Sequence, residues 1–508
     1  MSEDAYCRYD KKGAVMELTT AQRERAVGVL IGQACGDALG VPYEFGSPPA
    51  DGRPAMKGGG LGPFAPGEWS DDTQMALCIA EVAATGGDLT TREGLDAVAS
   101  RFEEWMRGGP ADVGIHTERV LGHARRLDGS PSTRLREASR AVHEETDRSA
   151  GNGALMRTAP VALAYLDDAA AAARVARAIA ELTHVDPRAG DSCVLWTDLI
   201  RQAVLTGEWR VDLGLLAEER REYWAGLVDA ALSGEPADFA SNGNTMQAFQ
   251  AALASVMVAR AASGEAVRAG LTAAVMAGHD TDTVAAIAGG LIGGSHGVGA
   301  IPAEWVARIN GWPGYRAHDL VGLALGIVAG GAVQGSWPWI GRMEHPAARP
   351  LAAPHPDDPE LLIGTLVDLD RAQDLGVEAV ISLCRIGTEQ VAPGAVSPER
   401  HAQVWLIDSE DPDDNPNLYA VLADAAELAR AWRAEGRRVL VHCVAAERRA
   451  LSVALAYAGA VGGDIDDTAR RLRELHPRAN AHGLLWEAAE EVARRLKADR
   501  LSDLDGIV

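Results

Sequence analysis

From about Ala21 to about Ile340 the chain is dominated by Ala, Leu and Val at helical spacing, broken by Gly-rich stretches, with few strand-like runs. RERAVGVLIGQACGDALG, TQMALCIAEVAATG, AAAARVARAIAELTH and TMQAFQAALASVMVARAA are rich in alanine and straight-chain residues, which lose little freedom in a helix. These runs predict a nearly all-α domain over 21–341, preceded by a short N-terminal tail over 1–20. The pattern changes between Arg342 and Pro359, where RMEHPAARPLAAPHPDDP holds five prolines in eighteen residues and reads as a linker over 342–359. Beyond it, β-branched runs at 378–384 (EAVISLC) and 438–443 (RVLVHC) alternate with helical segments such as LADAAELARAWRAEG. Alternation of that kind predicts an α/β domain over 360–508, a sheet covered by helices.

Composition narrows the function classes. A formal net charge of −24 argues against a groove that tracks nucleic-acid phosphates, because such binding needs Lys and Arg to neutralise them. The six cysteines are far apart and form no CxxC pair, so neither a zinc site nor a disulfide framework is expected. The N-terminal MSEDAYCRYDKKGAVMELTT carries acids and lacks the apolar run of an export signal, which points to the cytoplasm. Two uncharged stretches, Thr283 to Ala303 and Leu320 to Gly341, are long enough to span a bilayer. Their dilution with Gly, Ala, Ser and Pro favours tightly packed buried helices, and no membrane association is expected.

Two clusters of acids stand out. GHDTDTVAAIAGGLIGGSHG (278–297) opens with Asp280 and Asp282 interleaved with threonines, and GEWSDDTQMALCIA places Ser70, Asp71, Asp72 and Thr73 ahead of another apolar helix. Each cluster could simply cap its helix. One capping residue would suffice, however, and crowded carboxylates repel unless a cation or a proton separates them. A hard divalent cation takes carboxylate and hydroxyl oxygens of the kind these clusters offer. The residue types alone leave both readings open. An EF-hand is excluded, since counting from Asp280 its required Gly falls on Ala285 and its bidentate Glu on Leu291.

GQACGDALGVPYE (32–44), WSDDTQM (69–75), GNGALMRTAP (151–160), LTHVDPRA (182–189) and GHDTDTVAAIAGGLIGG (278–294) together resemble, in order, the motifs of the ADP-ribosylglycohydrolases. That resemblance implies a helical hydrolase domain in which Ser70, Asp71, Asp72, Asp280, Asp282 and Thr283 bind two Mg2+ ions, or Mn2+. Ser70 stands where many relatives have Thr, and the hydroxyl is retained. Glu44 matches a position the family uses as a catalytic acid or base; outside the motif it would read as a surface carboxylate beside a proline turn. Gly151, Asn152 and Gly153 are expected to cradle the diphosphate of ADP-ribose ahead of a helical segment, where backbone N–H groups favour anions. Asp112, Gly114 and Thr117 resemble a second ligand loop, and His184 is placed on the adenosine side. Taken alone, the glycines would be turns and the histidine a capping or core residue.

A third constellation lies in RRVLVHCVAAERRALSVALAYAG, where Cys443 ends an apolar run and Arg449 follows six residues later. A loop of that kind can direct several N–H groups at one point, favouring a thiolate and a bound phosphate. The alternative is a buried cysteine ending a strand. His442, Cys443 and Arg449 resemble the HCxxxxxR loop of the dual-specificity and tyrosine phosphatases, which implies a thiolate nucleophile with Asp411 as general acid and Asp408 as its rival. Ala446 departs from the usual Gly, Ala450 from the usual Ser or Thr, and Glu447 adds a negative charge to an anion loop.

The reading that results is a cytoplasmic metal-dependent hydrolase of the bond joining ADP-ribose to a modified target, an ADP-ribosylated protein or an ADP-ribose derivative, with a second phosphatase or phosphate-binding site. Two alternatives stand beside it. One is a non-catalytic ADP-ribose sensor, against which Glu44 argues; the other is a cysteine-dependent phosphatase targeted by its N-terminal domain.

Overall fold

The computed structural model describes residues 16–146, 149–262, 264–331 and 336–505, so most of the expected 1–20 tail lies outside the described residues. The described chain divides into two compact units. The first holds the residues up to Ile301 and those from Ile309 to the end of the 264–331 stretch; the second holds Pro302–Arg308 and the residues from 336 onward.

In the first unit the two helices Thr20–Gly40 and Thr281–His296 cross antiparallel with their backbones touching. Gly28 meets the carbonyl of Gly293, Gly32 that of Gly289, Gly36 that of Ala285, and Gly40 the backbone of Asp282. The steps run by four residues up one helix and down the other, which is the repeat that keeps positions on one helical face. A Cβ on any of these glycines would overlap a facing backbone atom, so only glycine permits the contact. Nearly all of both helices is buried, which explains why the 281–294 stretch carries no surface charge. Thr281 Oγ1 donates to the Gly40 carbonyl at 2.9 Å and ties the start of one helix to the end of the other.

Other helices close around this pair. Trp196, in the Pro187–Thr206 helix, donates from its indole to the Ile287 carbonyl at 3.2 Å and stacks edge-on with Phe249. A short hairpin of β1 (Asn310–Gly311) and β2 (Tyr315–Arg316) anchors the entry to the Asp71–Ala84 helix, with Trp69 N donating to the Asn310 carbonyl at 3.0 Å. The 320–328 part of the second uncharged stretch lies in the Ala317–Val328 helix, which is only partly buried, and residues 332–335 of that stretch lie outside the described residues. Among the described residues no helix is long and apolar enough to cross a membrane. Among the described residues Cys35, Cys78, Cys193, Cys384 and Cys443 are buried.

The second unit is a five-stranded sheet of β3 (Ala353–His355), β4 (Asp358–Thr365), β5 (Ala379–Ser382), β6 (His401–Gln403) and β7 (Val439–Cys443), in the order β3-β4-β7-β5-β6. All neighbours are parallel except β3 and β4. Helices Leu418–Ala434, Arg449–Ala460 and Leu484–Asp505 pack with one another and with the sheet. The proline-rich 342–359 segment contributes β3, an edge strand, where Pro354 costs the sheet no interior hydrogen bond. Pro302–Arg308, which lies by sequence among the helices of the first unit, joins this second one, with Ala303 N donating to Asp424 Oδ2 at 2.7 Å.

The glycine crossing sets the first prediction. Gly293→Ala should destabilise the protein by about 2 kcal/mol or more through overpacking against the Gly28 backbone. Gly226→Ala, in the exposed Glu218–Ser233 helix with open space at its Cβ, should be neutral or stabilising by up to about 1 kcal/mol. Urea unfolding midpoints of the two variants test this; equal midpoints would contradict it.

Candidate functional site

Asp37 is fully buried in the last turn of the Thr20–Gly40 helix, and its carboxylate does the capping that Ser70 does not. It accepts from Ser70 N at 2.8 Å, Thr73 N at 3.0 Å and Thr73 Oγ1 at 2.6 Å. Ser70 Oγ is thereby free to donate to Asp72 Oδ2 at 2.9 Å. At the other helix start, Asp280 makes no capping bond either. Its backbone N–H donates to Asn242 Oδ1 at 3.1 Å, and its Oδ2 accepts from Asn152 Nδ2 at 2.7 Å. The capping alternative thus fails at both starts, and the carboxylates are turned to a common centre instead.

Oxygens of Asp37, Asp72 and Asp282 lie within 4.8 Å of one another, and so do those of Glu44, Asp280 and Asp282. Asp282 belongs to both groups. Asp71 stands beside them, accepting from Gly114 N at 3.3 Å, and Thr283 hydrogen-bonds Asp280. The positive ends of two helix dipoles meet here as well, at the starts of Asp71–Ala84 and Thr281–His296.

Burial pushes Asp37 up to about 6, Asp71 up to about 8 and Glu44 up to about 9, and for the last two neighbouring carboxylates add to the effect. Asp72 and Asp282 are raised well above the usual carboxylate range and Asp280 is raised too, again chiefly by burial. Asp72 Oδ1 is buried with no hydrogen-bond partner among the described residues. An orphaned oxygen inside a ring of mutually repelling acids is the environment a hard cation relieves, so the acidic groups can hold a metal.

Glu44 follows a single 3-10 turn, Val41–Tyr43. The next residue, Phe45, donates its N–H to the His279 carbonyl at 2.6 Å, joining the Glu44 turn to the Asp280 loop. Phe45 and His279 both hold left-handed backbone, at φ 48° and 59°, a strain that recurs at functional sites.

The expected ligand loops converge on the same place. Asp112 acts electrostatically on both Glu44 and Asp71. A Cβ at Gly153 would lie 3.3 Å from Thr117 Oγ1 and from the His184 ring, and one at Gly151 would lie 3.4 Å from His184 Nε2. The Gly151–Gly153 stretch does not open an α-helix. It forms one 3-10 turn, Asn152–Ala154, and Asn152 is committed to Asp280 rather than left free for an anion.

Two site residues were not singled out in the sequence. Asp37 carried a signal, since an acid in the otherwise uncharged 26–40 run of the helix needs a buried partner. Asn242 carried none, because SNGN reads as a turn.

In the second unit Cys443 ends β7, buried, and the Arg449–Ala460 helix starts six residues on. Ala446 takes φ 57°, the left-handed value that explains a preference for Gly at this point of such loops. His476 Nε2 bonds the Ala446 carbonyl at 3.1 Å and Asn480 N donates to the Glu447 carbonyl at 2.8 Å, pinning the loop. The Glu447 carboxylate is paired with Arg478 at 3.1 Å. Asp408 lies 3.1 Å from Arg448 and 3.7 Å from Arg449. Asp411 is exposed and accepts from Asp413 N in its own turn, so Asp408, the rival, is the acid beside the loop.

Fold and site together define a helical protein with a buried acidic centre able to hold a metal ion. The chain belongs to the ADP-ribosylglycohydrolase family, whose family model matches residues 18–335. It is 28% identical over 296 residues to the ADP-ribosyl-[dinitrogen reductase] glycohydrolase of Rhodospirillum rubrum, covering 56% of this chain and 90% of that protein. It is 31% identical over 291 residues to the ADP-ribosylarginine hydrolase Tri1 of Pseudomonas putida (strain GB-1), covering 56% and 74%. A solved structure described as an ADP-ribosylglycohydrolase-related protein complex aligns with a TM-score of 0.46 at 29% identity, over 61% of this chain and 99% of that one.

The raised acids set a pH prediction. Groups whose folded values are raised contribute stability at pH below the ordinary carboxylate range and lose it as pH rises through the folded values, here about 6, 8 and 9 for Asp37, Asp71 and Glu44. A cation binds the ionised acids, so the Tm gain on adding Mg2+ should grow from about pH 5 to about pH 9 and be absent in Asp282→Asn. Thermal melts across that range test it, and a gain independent of pH would contradict it.

Proposed function

We infer that the first unit hydrolyses the glycosidic bond between ADP-ribose and a modified target, using Mg2+ or Mn2+ held by Ser70, Asp71, Asp72, Asp280, Asp282 and Thr283. The observation that carries this reading is the meeting of the two acid clusters and Glu44 at one buried centre. The relatives' names, one an ADP-ribosylarginine hydrolase and one a glycohydrolase of ADP-ribosylated dinitrogen reductase, favour an ADP-ribosylated protein as target, with an arginine linkage first.

When bound, the divalent cations neutralise the clustered carboxylates and act as Lewis acids toward ribose hydroxyls. Water adds to the anomeric carbon of ribose as the bond to the target nitrogen breaks. Positive oxocarbenium character develops at that carbon, and the carboxylates around it stabilise it. Glu44, raised by burial and by Asp280, Asp112 and Asp71, would hand its proton to the leaving nitrogen and regain one from the attacking water. Gly114 and Asn152 keep Asp71 and Asp280 in place through their hydrogen bonds.

For the second unit we infer phosphate binding at the Cys443–Arg449 loop, with Cys443 as nucleophile toward a phosphate ester and Asp408 as the proton donor. The observation that favours it is the strand, left-handed loop and helix sequence that ends on a buried arginine.

Glu44→Gln should lower kcat/KM for release of ADP-ribose from ADP-ribosylarginine by about 100-fold or more, with ADP-ribose affinity within a few-fold of wild type. Wild-type protein that binds ADP-ribose but releases none from arginine- or serine-linked substrates would identify a sensor instead. Cys443→Ser should abolish phosphate release from para-nitrophenyl phosphate and leave ADP-ribose release unchanged. Equal phosphate release by wild type and variant would remove the phosphatase reading.

A further inference from the structure

Arg157 is wholly buried in the first unit, yet among the described residues it forms no ion pair with a carboxylate. Its guanidinium lies over the Phe102 ring, 4.5 Å from the centroid, and burial draws its pKa down to about 10. Nη2 donates to the Ile179 carbonyl at 3.2 Å and to Thr183 Oγ1 at 2.7 Å. Burying a cation for two such bonds costs stability, and replacing it with an apolar side chain would cost the core little. What the arginine does to Thr183 is therefore of interest.

Thr183 is also fully buried, and its hydroxyl has one proton to give. Arginine can only donate, so toward Arg157 the hydroxyl oxygen accepts. The remaining contact of Oγ1 is His184 Nδ1 at 2.7 Å. If Nδ1 carried the proton, the hydroxyl hydrogen would be left buried without an acceptor. With the hydroxyl donating to a bare Nδ1, both contacts of Thr183 Oγ1 are satisfied. The nearby His116 adds a second hold: its Nε2 bonds the Thr183 carbonyl at 2.8 Å and must be the donor, since a carbonyl only accepts. Its ring lies 4.5 Å from that of His184. Burial, then His116 and Arg157, keep His184 well below its ordinary pKa, so the ring is neutral and has one N–H.

That N–H is on Nε2, the atom that faces the Gly151–Gly153 turn. Gly151 and Gly153 have no Cβ to cover it: a Cβ there would stand 3.4 and 3.5 Å from Nε2. We propose that Arg157 and Thr183 are positioning residues that fix His184 as its Nε2–H tautomer, so that it presents a hydrogen-bond donor to an acceptor oxygen of the bound ADP-ribosyl group. The donor role rests on the reading of this site as one for ADP-ribose; the tautomer does not.

Thr183→Val removes the hydroxyl at nearly constant volume, and Thr183→Ser retains it. In the full chain labelled with 15N-histidine, wild type and Thr183→Ser should show His184 with a bare Nδ1 and a protonated Nε2, assigned by the signals lost in His184→Gln. Thr183→Val should show a mixture of tautomers. The Kd for free ADP-ribose should rise about tenfold in Thr183→Val and stay within about twofold in Thr183→Ser, while the Mg2+-induced Tm gain is the same in both. A bare Nε2 in the wild type, or equal ADP-ribose affinity in the two variants, would overturn the proposal. If wild type bound no ADP-ribose at all, the donor role would fall with the reading of the site, and the NMR signals would still decide the tautomer.

Discussion

The backbone contact between the Thr20–Gly40 and Thr281–His296 helices is the constraint on which the site depends. Asp37 and the turn that carries Glu44 belong to one helix and its exit; Asp280 and Asp282 belong to the start of the other. Ordinary side chains between helices would hold the axes 8–10 Å apart, and a slip by one turn would move the groups about 5.4 Å along the axis. Either change is large against carboxylate oxygens that lie within 4.8 Å of one another. Glycine every fourth residue on the first helix removes both freedoms, since the facing carbonyls interlock with the gaps.

Bringing these acids together costs stability, as their raised pKa values record. The surroundings offset part of that cost with neutral donors. Asn152 holds Asp280, Ser70 holds Asp72, and Thr73 holds Asp37. Among the described residues no arginine is set beside them in an ion pair of the kind that stabilises Asp191, which Arg177 and Arg220 approach to 2.6 Å elsewhere in the same unit. A resident guanidinium would satisfy the charges and close the centre. Neutral donors orient the acids and leave their charge available to a cation or to a sugar carbon that becomes positive.

The acid pairs were legible in the sequence because two carboxylates at a helix start exceed what capping needs. Their convergence was legible only through the order of motifs, since nothing in the spacing of Asp72 and Asp282 says that they meet. Gly28, Gly32, Gly36 and Gly40 show their four-residue repeat in the sequence, but the partner helix lies some 250 residues on, and a contact of that range leaves no local trace. Asp37 stands in an otherwise uncharged run, which says that it needs a buried partner but not which one. In the second unit, Asp411 and Asp408 sit in one acidic run, DSEDPDD, and only the turn that Asp411 caps separates them. The proline-rich segment suggested a linker, yet prolines are tolerated at a sheet edge as readily as in a tether, so β3 was hidden by the same residues that suggested a break.

The two units answer opposite charges. Around Glu44 the ionisable groups are acids, suited to cations and to a centre that gains positive charge. Around Cys443 the side chains at the end of the loop are Arg448 and Arg449, with Asp408 between them and solvent-facing Glu447 drawn off by Arg478. Ala446 keeps a left-handed backbone there although it is not glycine, at a cost of about 1 kcal/mol. Hydrogen bonds from His476 and Asn480 hold that conformation in place. The shape therefore rests on contacts within the second unit, which also keep Arg448 and Arg449 gathered at the helix start beside Asp408.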